Sequence, residues 1–72
     1  MAAKRKKMLN NTLKVERARI NMTQQELADL LKVSRQTINA IEKGKFNPST
    51  LLALKISRIF GKTVNDLFSI TD

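Results

Sequence analysis

Two helix-start signals that lie close together constrain the fold of this chain more than any other feature. Residues 23–26 read Thr-Gln-Gln-Glu, a capping box in which the threonine hydroxyl accepts from the third helical residue and the glutamate reaches back to the cap. Apolar residues at helical spacing continue to Leu31, and Ser34 can begin a second helix. Only Lys32 and Val33 separate the two helices, so the chain must turn sharply and pack one helix across the other.

Further cap and stop signals predict three more helices around this pair. Gly44 and Gly61 can end helices in the left-handed conformation, and residues 63–66 repeat the capping pattern with Asp in place of Glu. The predicted helices cover residues 13–21, 24–31, 35–43, 50–60 and 64–68. We therefore expect one all-α domain of five helices over residues 11–68, with an N-terminal arm at residues 1–10 and a tail at residues 69–72.

The composition excludes several classes of function. The 72 residues contain no Cys and no His, which excludes disulfides, zinc fingers built on those ligands, and Ser-His or Cys-His catalytic pairs. Six scattered carboxylates offer no acid–base pair, so we expect neither an enzyme nor a metal or cofactor. No apolar run approaches the roughly 20 residues that span a bilayer, and no continuous apolar segment follows the basic start. These features predict a cytoplasmic protein with no membrane partner.

Positive charge dominates the chain and is concentrated at its start. Fourteen basic and six acidic residues give a net charge of +8, and four of the basic residues lie at positions 4–7. Without those four, ten basic and six acidic residues leave +4. Such an arm can be a solvated segment whose like charges repel. Alternatively, the arm can bind phosphate groups when the domain docks on nucleic acid. We favour this interpretation because the third predicted helix has a face suited to reading bases.

The third predicted helix has one apolar side and one side suited to reading bases. At 100° per residue, Ile38 and Ile41 share a side that faces inward. The opposite side presents Arg35, Gln36, Asn39, Ala40 and Lys43. Arginine suits guanine, the amides suit adenine, and alanine suits the thymine methyl group. A solvated face also carries amides and lysines, but it would normally carry carboxylates as well, and this face has none.

Four segments in order resemble the Xre type of lambda-repressor-like regulators. They are residues 23–28 (Thr-Gln-Gln-Glu-Leu-Ala), 33–38 (Val-Ser-Arg-Gln-Thr-Ile), 41–44 (Ile-Glu-Lys-Gly) and 47–49 (Asn-Pro-Ser). The resemblance covers about residues 11–68 and is strongest to the short stand-alone group that includes the cytolysin repressor. It implies a five-helix domain with the helix-turn-helix at residues 24–43 and the third helix in the major groove of DNA.

The resemblance also implies roles for individual side chains. Base readout falls to Arg35, Gln36 and Asn39. Contacts to the sugar-phosphate backbone fall to Gln24, Thr37, Lys43, Lys45 and Asn47. Arg17 and Glu42 are expected to form a structural ion pair, which fits the position of Glu42 near the inner side of its helix.

Two residues depart from the family pattern. Lys32 stands where glycine is common and a positive φ is often needed, which would cost about 1 kcal/mol. Glu16 replaces a frequent apolar residue, so we expect weaker contact between the first helix and the core.

The fourth helix carries more apolar surface than one small domain can bury. Leu51 and Leu54 lie opposite its core-facing arc, near two cations. The loop or the last helix could cover them, but we favour a homodimer. The predicted interface residues are Leu51, Leu54, Phe68 and Ile70. A dimer would place two recognition helices about 34 Å apart, one turn of DNA. In the short subgroup the flanking residues pair as a two-stranded ribbon, so residues 8–9 are expected to pair with residues 69–71.

The leading hypothesis is a regulator that binds double-stranded DNA in a sequence-specific manner. It would repress by occupying a palindromic operator as a dimer and excluding polymerase. The alternative is an antitoxin whose apolar helices bind a toxin protein and which controls its own operon. A basic peptide of membrane surfaces is disfavoured, because the basic and apolar residues do not share one amphipathic helix.

Overall fold

The computed structural model of the chain describes residues 8–71, so residues 1–7 of the predicted basic arm (residues 1–10) lie outside the described residues. Its elements in chain order are β1 (Met8–Asn11), α1 (Leu13–Arg19), α2 (Gln24–Leu31), α3 (Arg35–Glu42), α4 (Thr50–Phe60), α5 (Val64–Leu67) and β2 (Phe68–Thr71). Five helices and a short antiparallel ribbon are therefore present in the described part of the chain, which confirms the predicted fold class.

Hydroxyl side chains cap the N-termini of four of the described helices. Thr23, Ser34, Ser49 and Thr63 each accept a hydrogen bond from the main-chain N–H three residues later. The boxes that begin with Thr23 and Thr63 are complete, because an acidic side chain also accepts from the cap's N–H. Helix α1 begins differently, since Thr12 makes no cap and Asn11 Oδ1 accepts from the N–H of Leu13 at 3.2 Å. Local sequence thus sets where each helix starts.

Four helices end in the same way, with one residue in the left-handed conformation. These residues are Asn21, Lys32, Gly44 and Gly61, with φ between 55° and 74°. In each case the next residue donates its N–H to a carbonyl five positions back. Helix α1 therefore ends at Arg19, two residues before the predicted end, because the turn at Asn21 closes it. The predicted positive φ of Lys32 is confirmed at 59°.

The ends of α3 and α5 each fall one residue before the predicted position. Lys43 caps α3 after Glu42, and Phe68 leaves the helical conformation to begin β2. Strand β2 pairs with β1 in the register that joins Leu9 to Ile70 and Asn10 to Ser69. This register brings the two ends of the domain together and confirms the predicted ribbon.

A single apolar core joins all five helices. Its buried members are Leu13, Leu27, Ala28, Leu31, Ile38, Ile41, Ala53, Ile56, Leu67 and Phe68. The small Ala28 is fully buried and lets α2 and α3 approach closely. Burial of a large aliphatic side chain contributes about 1.5–3 kcal/mol, so the α2–α3 angle is fixed mainly by this core.

Glu16, for which we expect a weaker contact between α1 and the core, has a buried side chain. Lys62 Nζ lies 3.8 Å from Glu16 Oε2, and Arg19 Nε lies 3.9 Å from Glu16 Oε1. The carboxylate therefore joins α1 to the turn between α4 and α5 by charge instead of by apolar packing.

Candidate nucleic-acid interface

Helix α3 presents a polar face to solvent because its other side is anchored in the core. Ile38 and Ile41 are essentially inaccessible, at 0% and 1% exposure. Arg35 and Gln36 are exposed at the start of the helix, and Asn39 is half-buried one turn later. The three predicted base readers therefore lie on the outer side of one helix, and none of them is sealed in the core.

The start of α3 is held by a pair of hydroxyl groups. Ser34 Oγ accepts from the main-chain N–H of Thr37 at 3.1 Å, and the two side-chain oxygens lie 2.9 Å apart. Ser34 is exposed and Thr37 is half-buried. The hydroxyl of Thr37 thus lies at the positive end of the helix dipole, where an anion would be stabilised.

The segment after α3 carries the remaining predicted backbone contacts. Gly44, at φ 74°, reverses the chain, and the N–H of Lys45 donates to the carbonyl of Ala40 at 2.9 Å. Lys43, Lys45 and Asn47 are all exposed. The left-handed turn therefore places two cations and an amide beside the exposed end of the helix.

A buried ion pair lies beneath this face. Arg17 Nε donates to Glu42 Oε2 at 2.6 Å, and Arg17 Nη2 donates to Glu42 Oε1 at 2.9 Å. The two side chains are only 12% and 6% exposed. Arg17 Nη1 donates to the carbonyl of Met22 at 2.9 Å, which holds the guanidinium from its other side. The structure thus contains the ion pair that the family resemblance implies.

The ion pair also changes the electrostatics of the interface. The hydrogen bonds that Arg17 donates to Glu42, together with the negative charge of Glu42, raise the pKa of Arg17, although burial opposes the shift. Because the guanidinium stays charged, it neutralises the Glu42 carboxylate beneath the polar face of α3. The positive charges of Arg35, Lys43 and Lys45 therefore face solvent without an exposed acid among them.

Gln24 contacts the interface through its side-chain amide. Its Nε2 donates to Asn39 Oδ1 at 3.2 Å and to Glu42 Oε1 at 3.1 Å. Both amide hydrogens are therefore used inside the protein. Gln24 is also the first residue of α2, where main-chain N–H groups have no partner within the helix. The predicted phosphate contact of Gln24 is accordingly best supplied by its main-chain N–H.

One structural contact beneath the interface was missed by sequence reasoning. Asn11 Nδ2 donates to the carbonyl of Ile41 at 2.8 Å, across 30 residues of chain. This bond connects the start of α1 with the last turn of α3 and satisfies a carbonyl near the helix end. Its only sequence signal is a polar residue at a helix start, which predicts a local cap and not a contact with another helix.

The predicted dimer surface is partly exposed in one chain. Leu51, Leu54 and Ile70 are 64%, 52% and 70% exposed, whereas Phe68 is 7% exposed and belongs to the core. Beside Leu54 lies a shallow apolar depression of about 350 Å³ that Leu9 and Phe68 also line. The exposed apolar surface thus extends from α4 to the terminal ribbon, with Phe68 at its floor.

Comparison with known proteins places this geometry in a family. A family profile described as helix-turn-helix matches residues 13–67. An uncharacterized HTH-type transcriptional regulator of Methanocaldococcus jannaschii is 53% identical over 64 residues, which covers 89% of this chain and 97% of that protein. Another from Bacillus subtilis, YgzD, is 45% identical over 60 residues and covers 83% of this chain and 91% of that protein.

A solved structure shares the fold. The crystal structure of an inferred DNA-binding protein from Bacteroides fragilis aligns with a TM-score of 0.76 and 26% identity, over 86% of this chain and all of that chain. The chain is thus a helix-turn-helix protein. It belongs to the Xre-like helix-turn-helix family, whose members are DNA-binding transcriptional regulators and not enzymes. No helix within residues 8–71 is long and apolar enough to cross a membrane.

Proposed function

We propose that this chain is a sequence-specific repressor that acts in the cytoplasm and occupies a palindromic operator as a homodimer. The observation that carries the proposal is the two-sided character of α3. Ile38 and Ile41 lock the helix to the core, while Arg35 and Gln36 stand exposed on a face without a free carboxylate. A helix held in this way can enter the major groove without reorganisation.

The proposed contacts divide into base readers and phosphate binders. Arg35, Gln36 and Asn39 read base edges, since arginine and amide side chains match the donor and acceptor pattern of the major groove. The phosphate binders flank them along the two helices and the following turn. They are Gln24, Thr37, Lys43, Lys45 and Asn47. These contacts set the position of the domain on the duplex but carry no sequence information.

The dimer is proposed on the exposed apolar surface of α4 and β2. Leu51, Leu54 and Ile70 lie on this surface, and such a patch on a small domain commonly marks an interface. A symmetric pair would bind two half-sites separated by one turn of DNA, about 10 base pairs. Phe68 would support the interface from the core side.

The same surface supports the second candidate function, an antitoxin. An apolar patch that includes Ile70, at 70% exposure, could bind a toxin protein instead of a second copy. The accessibility of Ile70 in the free dimer separates the two candidates. A stable dimer that leaves Ile70 accessible favours the antitoxin, whereas a dimer that buries Ile70 favours the simple repressor.

Selection of bound duplexes from a random DNA pool tests the proposed repressor. We expect a palindrome with half-sites about 10 base pairs apart. Gln36→Ala should weaken binding to that operator by about 1–3 kcal/mol and barely change binding to random DNA. Gln25→Ala is the matched control, since Gln25 is an exposed glutamine whose side-chain amide donates to Asp29. Equal weakening on both DNAs would exclude Gln36 as a base reader, and an unenriched pool would exclude the proposed function.

A further inference from the structure

The amide of Asn39 is connected to the buried ion pair through Gln24. We infer that Arg17, Glu42 and Gln24 form a polar relay that fixes the orientation of the Asn39 amide, so that Asn39 presents N–H donors to the major groove. Gln24 is then a positioning residue for base readout. The inference rests on the proposed function and specifies how one of its base readers is set.

The relay begins with a group that can only accept hydrogen bonds. Arg17 donates twice to the Glu42 carboxylate, at 2.6 and 2.9 Å, and keeps it in place. Glu42 Oε1 also lies 3.1 Å from Gln24 Nε2. Because a carboxylate has no hydrogen to donate, the NH₂ end of the Gln24 amide must face it. The two ends of this amide are therefore distinguished by chemistry.

The same NH₂ group sets the next amide. Gln24 Nε2 donates its second hydrogen to Asn39 Oδ1 at 3.2 Å, so the carbonyl end of Asn39 faces Gln24. The Nδ2 end of Asn39 must then face away. Asn39 Nδ2 has no hydrogen-bond partner within residues 8–71. Every buried side-chain nitrogen and oxygen of these residues does have a partner, so Asn39 Nδ2 is not buried and solvent can reach it. Glu42, as an acceptor, thus fixes the orientation of the Gln24 amide, and Gln24, as a donor, fixes the orientation of the Asn39 amide.

The orientation has a chemical consequence for readout. An asparagine free to rotate can offer either a donor or an acceptor to a base, and it loses rotamer freedom when it binds. With Oδ1 engaged by Gln24, Asn39 offers two N–H donors. These match the acceptors of the major groove, which are purine N7, guanine O6 and thymine O4. The relay therefore favours base edges that present acceptors over those that present donors, and it lowers the ordering cost of the contact.

Two measurements on the full chain test this inference, and the first uses no DNA. We expect Gln24→Ala to increase the mobility of the Asn39 side-chain amide, measured as a lower ¹⁵N order parameter. Gln25→Ala is the matched control, because it removes the neighbouring amide of the same helix without touching Asn39. If the order parameter of Asn39 is unchanged in Gln24→Ala, the relay does not hold the amide and the inference fails.

The second measurement compares binding to single-base variants of the selected operator. The position read by Asn39 is the one at which Asn39→Ala abolishes preference. At that position, Gln24→Ala should reduce the ratio of affinities for the preferred and the other bases by about fivefold or more. Base preferences at the other positions of the operator should stay unchanged in Gln24→Ala. Gln25→Ala should leave the preferences at all positions unchanged. In the Asn39→Ala background, Gln24→Ala should cause no further change at that position.

The outcomes separate this inference from the proposed function. A uniform loss of affinity in Gln24→Ala, with all base preferences retained, would show that the Gln24 side chain supports affinity without setting the orientation of Asn39, and it would overturn the inference alone. An Asn39 side-chain order parameter that is the same in Gln24→Ala and in the wild type would also overturn the inference, and it would leave the proposed function standing. A wild-type protein without any base preference would overturn the proposed function, and the order parameter would still report whether the relay exists.

Discussion

Removal of the Glu42 carboxylate gives the sharpest test of how the interface is supported. Glu42→Ala leaves two donors of Arg17 and one of Gln24 without their acceptor, while Arg17 keeps its bond to the Met22 carbonyl. Breaking a buried pair in this way costs about 3–5 kcal/mol. Because the Arg17 side chain is 12% exposed and keeps one partner, water can reach it and we expect a loss near the lower end, about 3 kcal/mol.

The assay is thermal and urea unfolding followed by circular dichroism at one protein concentration. In a domain of this size 1 kcal/mol shifts the melting temperature by about 4–8 °C, so Glu42→Ala should melt roughly 12–24 °C below the wild type. The matched variant replaces both partners, with Arg17→Met and Glu42→Leu. It should lose only about 1 kcal/mol or less, because apolar pairs of similar size often substitute for buried ion pairs.

Two results would refute this reasoning. A loss below about 1 kcal/mol in Glu42→Ala would mean that the pair behaves like a surface salt bridge. A double variant as unstable as the sum of the two single variants would mean that the groups are not coupled.

The pKa of Arg17 is raised, so its proton is held more tightly in the folded state. Its stabilisation is complete below the unfolded pKa and is lost only at strongly alkaline pH, so stability from this group should not fall between pH 7 and 10.

Four substitutions test the helix ends and the apolar surface. Gly61→Ala should lower the free energy of unfolding by about 1 kcal/mol through backbone strain alone, because φ is 64° and an added Cβ meets no atom within 4 Å. Lys32→Gly should raise the free energy of unfolding by up to about 1 kcal/mol, because it relieves the same strain at φ 59°. Urea unfolding measures both changes, and the opposite signs would contradict the strain argument. Thr23→Ala should cost about 1 kcal/mol in the same assay, and no loss would show that the capping box is dispensable. Leu54→Glu should yield a folded monomer in light scattering, since the side chain is 52% exposed; an unchanged mass would remove Leu54 from the interface.

The parts of the fold that depend on local chemistry were predictable from the sequence. Caps at Thr23, Ser34 and Thr63 need only a hydroxyl and the following turn, and each begins a helix where predicted. The buried side of α3 follows from the 3.6-residue period, which places Ile38 and Ile41 together. These predictions succeed because the interacting groups lie within about four residues of one another.

The contacts that were not predictable join residues far apart in the chain. The bond from Asn11 to the carbonyl of Ile41 spans 30 residues, and the bond from Gln24 to Glu42 spans 18. Both depend on how closely the helices approach, which the core decides and no local pattern encodes. The end of α1 was misplaced for a related reason, since Asn21 can continue a helix or close one, and the packing of Met22 favours closure.

The inferred relay gives the ion pair a role in readout that an apolar pair could not fill. An apolar pair at positions 17 and 42 would support the fold about as well, but it would offer no acceptor to Gln24. The double variant Arg17→Met with Glu42→Leu therefore separates the two roles. We expect it to remain folded and to bind random DNA as the wild type does, while discrimination at the base pair read by Asn39 falls by about fivefold or more. Full retention of that preference in operator-variant binding would show that the charged pair contributes to the fold alone.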